Sequence, residues 1–143
     1  MNTRGVRNNN PANIRHGSKW KGLRKIQTDK SFCQFTGMVW GVRALICLLR
    51  TYVKKYKRKS VRAIISRWAP PEDNNNTDAY IDYVVNDISW VFDADQEFLE
   101  VSDFDVDNQE GCWKLFYLCK AMCWIESQYE LKYNLFITAL HLL

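Results

Sequence analysis

Glu126 closes the run Ala121-Met122-Cys123-Trp124-Ile125, and no other acid stands near it until Glu130. At the C-terminal end of an apolar helix, desolvation and the negative end of the helix dipole both disfavour an ionised carboxyl. A carboxyl kept protonated near neutral pH can donate to a glycosidic oxygen, as the tuned carboxyls of sugar hydrolysis do. The plain alternative is a solvated glutamate at a helix end.

Two asparagine-rich stretches offer complementary chemistry. The first, Arg4 to Arg15, reads R-G-V-R-N-N-N-P-A-N-I-R. The second runs from Arg67-Trp68-Ala69-Pro70-Pro71 through Asn74-Asn75-Asn76-Thr77. Carboxamides donate and accept at once, so they match sugar hydroxyl and acetamido groups or base edges. They also bond their own backbone beside a proline of fixed φ, which predicts ordered, irregular loops at both places.

Other reaction classes lack their signatures. There is no phosphate-binding glycine loop, no HExxH, and no Cys or Ser beside a His in a recognisable pattern. Cys112, Cys119 and Cys123 share one helical face with neither His16 nor His141 at a ligand spacing, which predicts buried thiols rather than a metal site. No cofactor is expected.

The elements that would hold these groups follow from periodicity. Leu23 to Gln27 and Ser31 to Phe35 alternate around Thr28-Asp29-Lys30 and predict a short β-hairpin. Val39, Val42, Leu45, Ile46, Leu49 and Val53 predict a helix from Val39 to about Tyr56. Ser60 and Thr77 are placed to cap two shorter helices, separated by Pro70-Pro71. Asp93 to Asp107 reads as an acidic, turn-like connector in which a short Phe98-Leu99 helix or turn docks on the core. Asn108 to about Ser127 is apolar nearly all round, which marks a central helix, and Leu131 to Leu143 supplies a last amphipathic segment. Most of the six tryptophans are expected in the core, with Trp20 and Trp68 partly exposed beside the loops.

At 143 residues, 47% hydrophobic, the chain predicts one compact domain with a real core. No apolar run reaches membrane-spanning length, and no Sec-type signal is evident at the start. Five cysteines without an export signal predict reduced thiols. Charge is strongly asymmetric: residues 1 to 67 hold 17 Lys/Arg against Asp29 alone, whereas 68 to 143 hold 3 against 15 acids. Either these halves neutralise each other, or a basic face remains for a polyanion. The run Lys54-Lys55-Tyr56-Lys57-Arg58-Lys59 also suits a helix C-terminus, where cations complement the dipole.

The order and spacing of Arg4-Gly5-Val6-Arg7-Asn8-Asn9-Asn10-Pro11, Asn13-Ile14-Arg15, Trp20, Gly22, Phe32, Phe35, Gly41-Val42-Arg43-Ala44, Arg67 to Pro71 and Asn76-Thr77 with Tyr80-Ile81 resemble a bacteriophage structural-protein family. That family looks lysozyme-like, with its parts in circularly permuted order, so the acid-bearing helix comes last. The resemblance implies an α+β, mainly α, lysozyme-like helical domain over 1–143 with a short β-hairpin. It makes Glu126 the catalytic acid/base, with Asn10, Asn13, Phe35, Asn76, Thr77 and Tyr80 lining or shaping a sugar groove. Ile125-Glu126-Ser127 is similar to the Glu-Ser of lytic transglycosylases, and Asn9-Asn10-Pro11 to a loop of related glucosaminidases. This chain departs from the family at Ala12, where Gly is common, near Asn74, where an acid is common, and at Glu126-Ser127-Gln128, where the family has Glu-Asn-Gly.

Three readings of function result. The first is a peptidoglycan-cleaving glycosidase, a lytic transglycosylase or muramidase acting on the MurNAc-GlcNAc β-1,4 bond, with glycan strands as partner and no nucleic acid. Asp29, Glu72 and Asp73 are its candidates for a second carboxylate. It would act as a monomer and reach the wall from the host cytoplasm through a holin-type partner, or carried by a virion. The second is a noncatalytic virion structural protein of the same fold. The third is a nucleic-acid-binding module using the basic first half, with Tyr52, Tyr56 and Trp20 as stacking groups.

Overall fold

The computed structural model describes residues 2–143, which are mainly helical. Six α-helices follow in order: α1 (Arg4–Arg7), α2 (Met38–Lys54), α3 (Val61–Trp68), α4 (Thr77–Ile88), α5 (Gln109–Ser127) and α6 (Tyr133–His141). Single 3-10 turns at Pro71–Asp73 and Val101–Phe104 interrupt the connections. The chain divides into two compact units, Met1–Leu48 with Met122–Leu143, and Leu49–Ala121. Among the described residues, no helix is long and apolar enough to cross a membrane.

In the first unit, Thr3 caps α1 by accepting from the Val6 N–H at 3.4 Å. The opening stretch is therefore one helical turn followed by a loop, not a loop throughout. Val42, Leu45, Ile46, Met122, Cys123, Leu131, Phe136, Ala139 and Leu140 are buried here with Phe35 and Ile14. Burying Phe35 fully is worth about 2–3 kcal/mol.

The expected β-hairpin does not form as a ladder. Leu23 pairs antiparallel with Phe35, the register predicted about Asp29, and Arg15 pairs with Phe32, but both are isolated bridges. Glutamine side chains take the places of backbone partners. Gln27 Nε2 donates to the Arg24 and Gln34 carbonyls at 2.9 and 2.8 Å, and Gln34 Oε1 accepts from the Thr28 and Asp29 N–H groups. Side chains that bond the backbone this way compete with strand pairing.

In the second unit, Ser60 caps α3 through the Ala63 N–H at 3.1 Å. Asn76, not Thr77, caps α4 through the Ala79 N–H at 3.1 Å, because a carboxamide reaches that donor at least as well as a hydroxyl. Thr77 instead donates to the Ala69 carbonyl at 2.5 Å and ties the end of α3 to the start of α4. The acidic connector is pinned where expected: Phe98 and Leu99 are buried, and their N–H groups bond the Lys59 carbonyl at 3.0 and 2.9 Å. The Lys59 ammonium pairs with Glu97 at 2.7 Å and Glu100 at 3.1 Å. Its helical turn comes later than Phe98-Leu99, at Val101–Phe104.

Trp20 and Trp68 are partly exposed as expected, but the other tryptophans depart from the core expectation. Trp90, Trp113 and Trp124 are exposed, while Trp20, Trp40 and Trp68 are half-buried.

Candidate active site

Glu126 sits in the last turn of α5, half-buried, with Ser127 buried beside it. The helix ends because Gln128 takes the left-handed conformation, φ 51°, and returns its N–H to the Trp124 carbonyl at 2.8 Å. A left-handed position of this kind suits glycine best. Gln128 fills it at the modest strain a non-glycine residue carries there.

Two carbonyls at this helix end, those of Glu126 and Ser127, are capped by the chain's opening residues. Asn13 Nδ2 donates to the Glu126 carbonyl at 2.9 Å and reaches its carboxylate Oε1 at 3.4 Å. Thr3 Oγ1 donates to the Ser127 carbonyl at 2.6 Å. Gly5 lies so close to the Ser127 side chain and the Asn10 carbonyl that a Cβ there would collide with both. An N-terminal loop thus supplies donors that a helix C-terminus otherwise lacks, and it sets the carboxamide of Asn13 against the Glu126 carboxylate.

The loop holds that geometry through its own asparagines. Asn10 is fully buried; its Nδ2 donates to the Ile14 and Cys33 carbonyls and its Oδ1 accepts from the Ile14 N–H, each at 2.9 Å. Asn9 and Asn13 take positive φ, 50° and 52°, a conformation asparagine tolerates better than most residues. Ala12 is not among the left-handed residues, so its Cβ meets no backbone strain there. Asn9 Nδ2 donates to the Phe35 carbonyl at 3.1 Å, and the Phe35 N–H bonds Asn8 O at 2.8 Å. Asn10 and Phe35, both fully buried, therefore shape the loop and present nothing to a ligand.

Asp29 is committed to structure. Its carboxylate accepts from Arg4 Nε and Nη2 at 2.7 Å, Asn8 Nδ2 at 2.9 Å, and the N–H groups of Ser31 and Phe32 at 2.9 and 3.0 Å. The Arg4 guanidinium and these hydrogen bonds hold it well below the usual carboxylate range. With its oxygens so engaged, it has little capacity left for the role of a second carboxylate.

Asn76, Thr77 and Tyr80 belong to the second unit. There Asn76 caps α4, Thr77 is buried on the Ala69 carbonyl, and Tyr80 is half-buried. Glu72 and Asp73 lie exposed on the 3-10 turn of that unit.

Two features beside Glu126 went unseen in the sequence. Asn13 Oδ1 and Ser127 Oγ are buried polar atoms with no hydrogen-bond partner among the described residues. Trp20 Nε1 is a third such atom, and each costs about 1–3 kcal/mol unless water satisfies it. Cys123 is fully buried, and burial, with the Glu126 charge adding to it, pushes its thiol far up. It behaves as an inert core residue.

No established family profile matches the chain. Over 87 residues it is 46% identical to Protein P5 of Pseudoalteromonas phage PM2, a stretch covering 58% of this chain and 54% of that protein. The chain thus spans about half the length of the curated relative it matches, and its similarity supports a bacteriophage origin.

Proposed function

We propose that this chain is a bacteriophage peptidoglycan-cleaving glycosidase in which Glu126 is the general acid/base. The observation that carries the reading is the contact of the Asn13 carboxamide with both the main chain and the carboxylate of Glu126. It joins the two sequence features singled out for sugar chemistry, which lie 113 positions apart.

In this reading Glu126 protonates the glycosidic oxygen of the MurNAc-GlcNAc bond as the C–O bond breaks. The substrate's acetamido oxygen supports the cation at C1. Glu126, now a carboxylate, takes the proton of the incoming hydroxyl. When that hydroxyl is the sugar's own 6-OH the product carries a 1,6-anhydro ring; when it is water the product is a reducing end. The internal commitment of Asp29 favours the route that needs no second carboxylate. Asn13 orients the carboxyl, and a lysozyme-like architecture in permuted order, implied by the family resemblance, is part of the same proposal.

The test is release of soluble muropeptides from purified sacculi by the wild type, Glu126→Gln and Asn13→Ala. Release by the wild type, abolished in the first variant and reduced at least tenfold in the second, supports the reading. Equal release by wild type and Glu126→Gln, or none by either, overturns it. In the latter case the noncatalytic virion protein stands, and it also fits the phage relative.

A further inference from the structure

Within the second unit, the end of α2 gathers cations that the fold does not neutralise. Lys59 and Arg62 meet acids of the later half, Glu97, Glu100 and Asp78. Lys54, Lys55, Lys57, Arg58 and Arg67 pair with no carboxylate among the described residues. No acid occurs in the sequence between Asp29 and Glu72. The charge asymmetry is therefore only partly cancelled internally.

Three details turn this cluster into a built surface. Arg67, from α3, lays its guanidinium over the Tyr56 ring at 3.6 Å and lies 5.3 Å from the Tyr52 ring. A guanidinium stacked this way is held in place with its in-plane N–H donors directed outward, suited to bidentate contact with phosphate. Lys55 covers Tyr56 as well, at 5.3 Å. Lys57 adopts φ 57°, a left-handed position where glycine is the unstrained residue, as the Arg58 N–H returns to the Tyr52 carbonyl at 2.9 Å.

We infer that this surface, Lys54, Lys55, Lys57, Arg58 and Arg67 on their tyrosine base, binds the phosphodiester backbone of duplex DNA without reading its sequence. The inference does not rest on the glycosidase reading. Cations already occupy Tyr56 and flank Tyr52, so no open platform is left for stacking unpaired bases, which argues against single strands. Among the described residues, no exposed aliphatic side chain or tryptophan belongs to the segment 54–59 or flanks Arg67 to enter a lipid interface. Five cations around one helix end call for closely spaced phosphates, and a duplex presents one charge per about 1.7 Å. The cluster has no carboxamide to read base edges, so its contacts position without specifying.

The test is fluorescence anisotropy of the full chain with two labelled 20-bp duplexes of unrelated sequence, titrated across salt. Five phosphate contacts predict a log–log salt slope of about −4.5, hence affinity falling about 500-fold between 50 and 200 mM, equally for both duplexes. Lys54→Glu with Lys55→Glu should lower the slope by about two. Lys57→Gly should lower it by about one while the melting temperature holds or rises, which separates the surface from folding. A slope shallower than −2, variants that bind like the wild type, or equal competition by single-stranded DNA, poly(glycerol phosphate) or anionic vesicles would overturn the assignment.

Discussion

Replacing Asn10 with alanine probes the loop that sets Asn13 against Glu126. Asn10 is 0% exposed and makes three hydrogen bonds, all at 2.9 Å. The Ile14 carbonyl keeps a second partner, the Cys33 N–H at 2.9 Å, so the variant strands chiefly the Ile14 N–H and the Cys33 carbonyl. At about 1–3 kcal/mol for each of these two buried groups left unsatisfied, the expected loss is about 2–6 kcal/mol. For a chain of this length that is a fall in Tm of about 7–20 °C. Asn10→Asp should be worse at neutral pH, because it sets a buried carboxylate against two carbonyl oxygens. Its folded pKa must lie above the unfolded value of about 3.9, so its stability is retained below that value and lost as pH rises through the folded one. The assay is urea unfolding of the three proteins at pH 7 and pH 4, with Asn75→Ala as the exposed control. A cost under about 1 kcal/mol for Asn10→Ala, or an Asn10→Asp variant more stable than Asn10→Ala at pH 7, would refute the accounting.

Asp29 has its folded pKa depressed, so the stability it contributes is present above about pH 4 and is lost as pH falls below that towards the folded value. Urea midpoints from pH 6 to pH 2 should fall more steeply for the wild type than for Asp29→Asn, and parallel profiles would contradict this. A Cβ at Gly41 would meet the Asn9 carbonyl and the Pro11 ring, neither of which can rotate aside. Gly41→Ala should therefore destabilise by about 1–3 kcal/mol, read as a lower Tm, with an unchanged Tm as the contrary result. Cys33, Cys112, Cys119 and Cys123 are buried and Cys47 is half-buried, so DTNB should titrate at most one thiol promptly in the native protein and five in urea. Two or more prompt thiols without denaturant would show that the core opens more readily than its packing implies.

The helices were legible because their signals are local. Apolar residues at helical spacing placed α2, α3 and α5 within a residue or two, and Ser60 announced the start of α3. The buried thiols of α5 followed from the same periodicity. Where two local signals compete, a sequence gives no ranking: Asn76 outcompeted Thr77 as the cap, and Gln27 and Gln34 replaced the strand partners that alternation predicts. The one-turn α1 was missed although Thr3 is a good cap residue, because the asparagines after it dominate the reading.

The candidate site was legible only in part. Glu126 stood out by its position on an apolar helix, and Asn13 by its loop. Nothing in composition could show that Asn10 spends its side-chain hydrogen bonds on the Ile14 and Cys33 backbone while Asn13 reaches the acid, since the two residues are chemically identical. The bond between Thr3 and Ser127 carried no signal, because it joins positions 124 apart.

The most direct measurement is mass spectrometry of sacculi incubated with the wild type and with Glu126→Gln. The account predicts new glycan ends from the wild type, 1,6-anhydro if the substrate's own hydroxyl closes the ring, and none from the variant. Identical spectra from the two proteins would contradict it.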